Sequence, residues 1–153
     1  MLNDPVNLID PLGLLNILIG GGASVVGVAG VEGSGGLVIN PGLGDSKADI
    51  GVFGSVGGGI GLNLSADRFI GFVKGGIENV SGTTINANVI IGLISFTAMF
   101  NIDTGEFMGF TVGLGPSATS IAGSITGSFT GTYTLRDLLE DLRDPNYASN
   151  QCK

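Results

Sequence analysis

A two-residue period in the last third of the chain constrains the fold most. Between residues 120 and 132 a serine, threonine or alanine occupies every second position, and isoleucine, phenylalanine or glycine occupies the positions between. Successive side chains of a β-strand point to opposite faces, so this spacing predicts a strand with one hydroxyl face and one apolar face. Residues 52–64 repeat the spacing, with aliphatic residues and glycine on one face and mostly small or polar residues on the other.

The same analysis divides the rest of the chain into strands and turns. It predicts strands at about 23–33, 52–64, 69–78, 84–100, 106–114 and 120–133, with turns at 65–68, 81–83 and 103–105 and a loop at 115–117. The run 84–100 changes phase near Gly92, which indicates a bulge. Strands joined by turns without helices between them are typical of an antiparallel meander. We therefore expect a mainly β fold, a glycine-rich barrel or sandwich.

A short helix is predicted after the last strand. Apolar residues take helical spacing from 134 to 142, with Thr134 as N-cap, Asp137 as the acidic partner of a capping box and Pro145 ending the segment.

A different interpretation applies to residues 11–31, which carry no charge and are about as long as the roughly 20 residues of a membrane-spanning helix. Gly20, Gly21 and Gly22 interrupt them, and each interior glycine costs a helix about 1 kcal/mol relative to alanine. We favour a short apolar piece at 14–19 followed by the strand 23–33, with the spanning helix as the alternative.

Composition excludes several classes of function. The chain has no histidine and one cysteine, Cys152, so it cannot form a histidine general base, a His-containing zinc site or an internal disulfide. Six basic residues against thirteen acidic ones give a net charge of −7, and no basic stripe predicts nucleic-acid binding. The glycine clusters match no phosphate-loop pattern, so we expect neither a cofactor nor a metal.

The first fourteen residues carry a recognisable motif. Residues 3–14 read N-D-P-V-N-L-I-D-P-L-G-L, in which two prolines and a glycine predict a connector with two turns. This stretch closely resembles the end of the core of RHS-repeat (YD-repeat) proteins, where a variable C-terminal domain begins. It departs from that pattern at Asp4, where the family usually has a second asparagine.

The resemblance implies a domain boundary, self-cleavage of the chain and delivery of its C-terminal part. Residues 1–14 would be the end of an RHS-type core whose upstream repeats form an enclosing shell, and residues 15–153 would be a variable, toxin-like domain. Asp10 would be one carboxylate of an aspartyl-protease-like self-cleavage pair, inert without its upstream partner, with the cut after Leu14. Such a domain would be secreted or delivered into a target cell, and it would have a cognate immunity protein.

Two features favour a membrane as the target. The charges between residues 15 and 135 fall mostly at predicted turns, so the strand walls are nearly free of charge. Strands of about 9–11 residues with apolar outward and polar inward faces can cross a bilayer. Phe53, Phe69, Phe72, Phe96, Phe100, Phe107, Phe110, Phe129 and Tyr133 would supply either interfacial aromatics or ordinary core packing.

We therefore favour pore formation or membrane disruption, with a homo-oligomer as one form of it. A soluble barrel would instead pack its apolar alternate residues inside and turn serine and threonine to water.

Two alternatives need no bilayer. An enzymatic toxin would use paired carboxylates, for which Glu32, Glu78, Glu106, Asp49 and Asp103 are the candidates. Lys74 and Glu78 share one face of a predicted strand, which is more typical of a surface charge pair. A structural or binding module without toxicity is the third alternative, because a fold alone implies no activity.

Overall fold

The computed structural model describes residues 15–42 and 48–143. The predicted self-cleavage positions Asp10 and Leu14 lie outside the described residues, as do Pro145 and Cys152. The strands are β1 (Leu15–Val26), β2 (Ala29–Asn40), β3 (Asp49–Lys74), β4 (Gly82–Ile91), β5 (Ile94–Asn101), β6 (Phe107–Leu114) and β7 (Ile121–Thr134); a 3-10 helix spans Ile77–Val80, and α1 spans Leu135–Arg143.

The strand pairings close on themselves and form an antiparallel barrel. β3, β6, β5, β4 and β7 make a closed ring, since β7 pairs again with β3. The β1–β2 hairpin fills the space between the two halves of β3, with β2 on the first half and β1 on the second. The expected mainly β fold is confirmed, and it takes the barrel form rather than the sandwich.

The long strand β3 replaces a predicted turn. β3 runs antiparallel to β2 up to Ile60 and antiparallel to β1 from Asn63, so it changes direction around the tip of the hairpin. Gly61 lies at this corner with φ +141°, a conformation that residues with a Cβ rarely adopt. The turn predicted at 65–68 is therefore wrong. Ser65 and Asp67 face the polar interior of the barrel, Ala66 and Arg68 face outward, and the four residues keep the strand alternation.

The first predicted strand and the spanning helix are both replaced by the β1–β2 hairpin. β1 runs unbroken through Gly20–Gly22, whose neighbours lie so close that a Cβ at Gly22 would come within 3.2 Å of Ser34. Glycine in this strand therefore reflects close approach of the neighbouring strands rather than a break. Among residues 15–42 and 48–143, no helix is long and apolar enough to cross a membrane.

The predicted run 84–100 is two strands. β4 and β5 are joined by Gly92 and Leu93, and Gly92 has φ +64°. A positive φ at the first turn position is typical of a type II′ hairpin, so the phase change marks a turn rather than a bulge. The hairpin turn predicted at 103–105 is confirmed between β5 and β6, where the backbone N–H of Gly105 donates to the carbonyl of Asn101 at 2.9 Å.

The predicted helix and its cap are confirmed. The Thr134 backbone N–H donates to Oδ2 of Asp137 at 2.8 Å, and the Asp137 backbone N–H donates to Oγ1 of Thr134 at 3.1 Å. This reciprocal pair is a capping box. The bond from the Thr134 backbone, then the bond from the Thr134 hydroxyl, holds the pKa of Asp137 below its ordinary value.

Buried apolar side chains lie towards both ends of the barrel. At the upper end, where β1 begins and α1 follows β7, a buried cluster consists of Leu18, Val38, Phe53, Val73 and Val80, with Phe69, Ile77 and Met99 packed against it. At the lower end, near the tip of the β1–β2 hairpin and the Gly92 turn, the buried residues are Val26, Ile90 and Ala122. A mainly polar band lies between these two layers.

Candidate functional site: an apolar wall around a polar interior

The outer surface of the barrel is apolar. We call its exposed strand side chains the apolar belt; they include Val31, Val52, Val56, Ile60, Leu62, Leu64, Ile70, Val89, Phe96, Phe110, Ile125 and Phe129. Each is more than 40% exposed, and they come from strands β2 to β7. Ile19 and Val25 of β1 are also exposed and belong to the belt. Among the outward positions of the described strands, Arg68 and Lys74 are the charged ones. A contiguous apolar surface of this kind on a folded chain marks an interaction site.

The hydroxyl face of β7 points into the barrel. Ser124, Thr126 and Ser128 are buried, whereas Ile125 and Phe129 are exposed at 58% and 62%. A soluble barrel was expected to have the opposite arrangement, with hydroxyls in water and apolar side chains inside. The sequence predicts that the two faces differ, and the structure determines which one is inside.

The nine aromatic residues named above lie partly in the interior and partly on the outer surface. Phe53 and Phe69 pack inside the upper apolar cluster, with ring centroids 6.1 Å apart. The exposed ones are Phe96, Phe107, Phe110, Phe129 and Tyr133, and Phe72 and Phe100 are half-buried. Most therefore belong to the outer surface.

Glu32 lies in the interior and is held by hydrogen bonds. Its Oε1 accepts from Oγ1 of Thr126 at 2.6 Å and from Nδ2 of Asn86 at 3.1 Å, and its Oε2 accepts from Nδ2 of Asn88 at 3.2 Å. The donors come from β4 and β7, so the carboxylate joins β2 to the opposite wall. Charged groups inside a protein require such partners, because an unpaired charge is costly to bury.

The network extends across the barrel. Asn88 accepts from Oγ1 of Thr97 at 2.6 Å, and Asn86 donates to Ser128 at 2.7 Å. On the other side of the interior, Ser95 donates to Asp67. These groups surround a cavity of about 120 Å³ that is large enough for several water molecules.

Among the candidates whose side chains the structure describes, the predicted catalytic carboxylates do not come together. Glu32 lines the cavity, whereas Asp103 and Glu106 are exposed in the β5–β6 turn. Asp49 lies at the upper rim, 3.7 Å from Nε of Arg136. The side chain of Glu78 lies outside the described part of the chain.

Sequence reasoning missed the interior residues Asp67, Asn86 and Asn88. A signal was present, because each occupies the same alternating phase as the buried residues of its strand. Asp67 was instead assigned to a turn. Within the described ranges, no group of three or more His, Cys, Asp or Glu residues could hold a metal.

Helix α1 presents an apolar stripe at the upper rim. Leu135, Leu138, Leu139 and Leu142 follow helical spacing, and all are exposed. The Tyr133 hydroxyl donates to Oδ2 of Asp141 at 2.6 Å, which connects the helix to β7 on its polar side. A helix with one leucine face and one charged face is suited to the boundary between water and lipid.

Comparisons with known proteins give one structural similarity. Neither a family model nor a curated protein matches the chain. Among solved structures, the virulence-associated protein VapD from the intracellular pathogen Rhodococcus equi is similar, with a TM-score of 0.45 and 19% sequence identity over 78% of this chain and 99% of that chain. A likeness at this level carries no argument about activity.

Proposed function

We propose that this domain acts on a target-cell membrane by inserting into the bilayer as a folded β-barrel. The apolar belt is the observation that supports the proposal. In water these aliphatic and aromatic side chains stay exposed, whereas in a bilayer each of them leaves water, at a gain of about 25 cal/mol per Å² of apolar surface. The polar groups of the strands stay inside the barrel, and the backbone hydrogen bonds are satisfied by a closed ring without edges.

The dimensions suit a bilayer. β7 has 14 residues, which at about 3.3 Å per residue and a tilt of about 40° rise roughly 35 Å. The hydrocarbon core of a bilayer is about 30 Å thick, and the apolar band of a membrane barrel is about 25 Å tall. β5 and β6 are the shortest strands with 8 residues each, so the belt is narrowest on that side.

The packing inside the barrel indicates how an inserted barrel would damage the membrane. Buried apolar side chains lie towards both ends of the interior, and barrels of this size enclose packed side chains rather than an aqueous channel. A single inserted barrel is therefore expected to disturb lipid packing around it rather than to conduct through its interior. Pore formation would need several copies, with the passage between them.

The exposed apolar belt is also compatible with delivery of the domain inside an RHS-type shell. An apolar exterior makes a free barrel prone to association in water. The shell implied by the junction motif would shield the belt until release, and an immunity protein would cover it in the producing cell. In the full-length protein, Asp10→Asn should abolish cleavage after Leu14, detected by mass spectrometry as loss of a fragment that begins at Leu15. Unchanged cleavage would remove the junction assignment.

The absence of tryptophan allows a direct test of insertion. Phe129→Trp places a single reporter on the apolar belt, and Phe53→Trp places one in the upper interior cluster. With vesicles whose acyl chains carry bromine, we expect strong quenching of the outward tryptophan and weak quenching of the inward one. The same preparations should release a trapped dye from protein-free vesicles.

Two results would contradict the proposal. Equal and weak quenching at both positions would show that the wall does not face lipid. Intact vesicles at micromolar protein would show that any insertion causes no leakage. Toxicity that survives separate Glu32→Gln, Glu78→Gln and Glu106→Gln substitutions would exclude the carboxylate enzyme independently.

A further inference from the structure

Charged side chains are unevenly distributed along the axis of the described barrel. Of those whose side chains are described, most lie at the upper end: Asp49, Lys74, Asp103, Glu106 and, in α1, Arg136, Asp137, Glu140, Asp141 and Arg143. The others are Glu32 and Asp67, which line the interior cavity, and Arg68 on the outer wall. Arg68 lies opposite Gly21, near the middle of β1, so it is at mid-height rather than at the lower end.

The lower end of the barrel is uncharged and apolar. It consists of four segments, all of them described: 26–29, 60–65, 91–94 and 114–121. None of the four contains Asp, Glu, Lys or Arg. Three of their aliphatic side chains point into solvent, with Val28 89% exposed, Ile121 77% and Leu93 66%. Apolar surface of this kind marks a site of interaction with a membrane or a protein.

Backbone hydrogen bonds tie the loops of the lower end to one another. The N–H of Gly92, in the β4–β5 turn, donates to the carbonyl of Ser120 at 2.7 Å. The N–H of Ala118, in the loop between β6 and β7, donates to the carbonyl of Leu64 in β3 at 2.9 Å. A peptide group that is paired inside the protein does not lose a water partner on entering hydrocarbon. These bonds therefore favour lipid as the partner of the lower end.

We propose that the barrel enters the bilayer with its lower end first, and that the upper end stays at the headgroups on the side of addition. The inference rests on the proposed function and adds a direction to it. A charged side chain is costly at the bilayer midplane. The lower end crosses without that cost, whereas entry in the opposite direction would carry every charge of the upper end across. At the near headgroups, α1 turns its leucine face to lipid and its charged face to water.

The test blocks one end of the barrel at a time. The full chain carries Phe129→Trp as the reporter of insertion and Cys152→Ser to remove the native thiol. A new cysteine is then placed at the lower tip by Val28→Cys or, as the matched control, in the upper β5–β6 turn by Ile102→Cys; both positions are exposed. A long polyethylene glycol chain is attached to it through a disulfide, because a hydrated polymer does not cross hydrocarbon.

Each conjugate is added outside vesicles with brominated acyl chains. We expect the conjugate at residue 28 to lose quenching of the reporter tryptophan and the conjugate at residue 102 to retain it. Reduction of the disulfide should restore quenching at residue 28, which shows that the fold is intact. Quenching that does not return would count against the proposal, because the loss would then come from damage at the tip.

The outcomes separate the direction from insertion itself. If the unconjugated protein is not quenched, the proposed function fails and the direction fails with it. If the unconjugated protein is quenched and the two conjugates behave alike, or only the upper one is blocked, insertion stands and the direction is wrong. A second copy docked on the lower end would also contradict the proposal. The conjugate at residue 28 would then insert normally and be monomeric in detergent, where the unconjugated protein is a dimer.

Discussion

A lysine placed at the middle of the apolar belt separates a membrane barrel from a soluble one. Val56 and Leu62 lie on the same outward face of β3, and each is 65% exposed. They differ in height. Leu62 lies at the lower corner, and Val56 is six residues away, about 15 Å higher along a strand tilted by about 40°. In water, either substitution by lysine should change the free energy of unfolding by less than about 0.5 kcal/mol.

In a bilayer the two positions behave differently. A lysine at the midplane of a membrane barrel costs about 2–4 kcal/mol, and one near the interface costs about 0–1 kcal/mol. Since 1.4 kcal/mol is a factor of about ten, Val56→Lys should reduce partition into vesicles by about 30- to 700-fold. Leu62→Lys should reduce it by less than about fivefold, so the ratio between the variants reports depth alone.

The assay uses the one cysteine. A fluorophore on Cys152 reports binding as vesicles are titrated into a fixed concentration of protein. Dye release at equal bound protein then shows whether the inserted barrel still disrupts the membrane. The reasoning is refuted if Val56→Lys and Leu62→Lys partition alike, because equal exposure would then be the whole explanation and depth would have no role.

Three other perturbations follow from the same structure. Arg68 is a charged side chain on the outward face of β3, away from the ends of the strand. Arg68→Leu removes this charge from the apolar belt, so it should strengthen vesicle binding by about 1–3 kcal/mol in the same titration. Gly61→Ala forces a Cβ into a positive-φ corner and against β7, so it should lower the free energy of unfolding, measured by denaturant titration, by about 2 kcal/mol or more, whereas Gly131→Ala, which meets open space, should change it little. Hydrogen bonds from Thr134 lower the pKa of Asp137, so the ionised cap is fully stabilising above about pH 4 and is lost as the pH falls through the depressed value. An NMR titration of the Thr134 amide should show this acid step, and Asp137→Asn should abolish it.

Local pattern was sufficient for the regular elements of the C-terminal half. The predicted strand 120–133 and helix 134–142 agree with β7 and α1 within one residue, because strict alternation and a capping box are both local signals. Long-range pairing decided what local pattern could not. Residues 65–68 resemble a turn because Ser65 and Asp67 are polar, but both face the polar interior of the barrel. The chain changes direction earlier, at Gly61.

The choice of inward face also lay beyond the sequence, because alternation is symmetric between the two sides of a sheet. Glycine placement explains how the structure settles it. Gly57, Gly59 and Gly61 of β3 lie opposite Ser128, Thr126 and Ser124 of β7 on the inner wall, and a Cβ at each would collide with β7. The glycines thus provide the space that the inward hydroxyls occupy.

The same pairing argues for the membrane setting. If the faces were exchanged, the inner wall would have to hold Val56 and Ile60 of β3 opposite Phe129 and Ile125 of β7, pairs that join large side chains directly across the two strands. A barrel curved by inward glycines has no room for such pairs, so the bulky apolar residues must point outward. The apolar belt is then a consequence of the curvature, and under the membrane proposal lipid covers it.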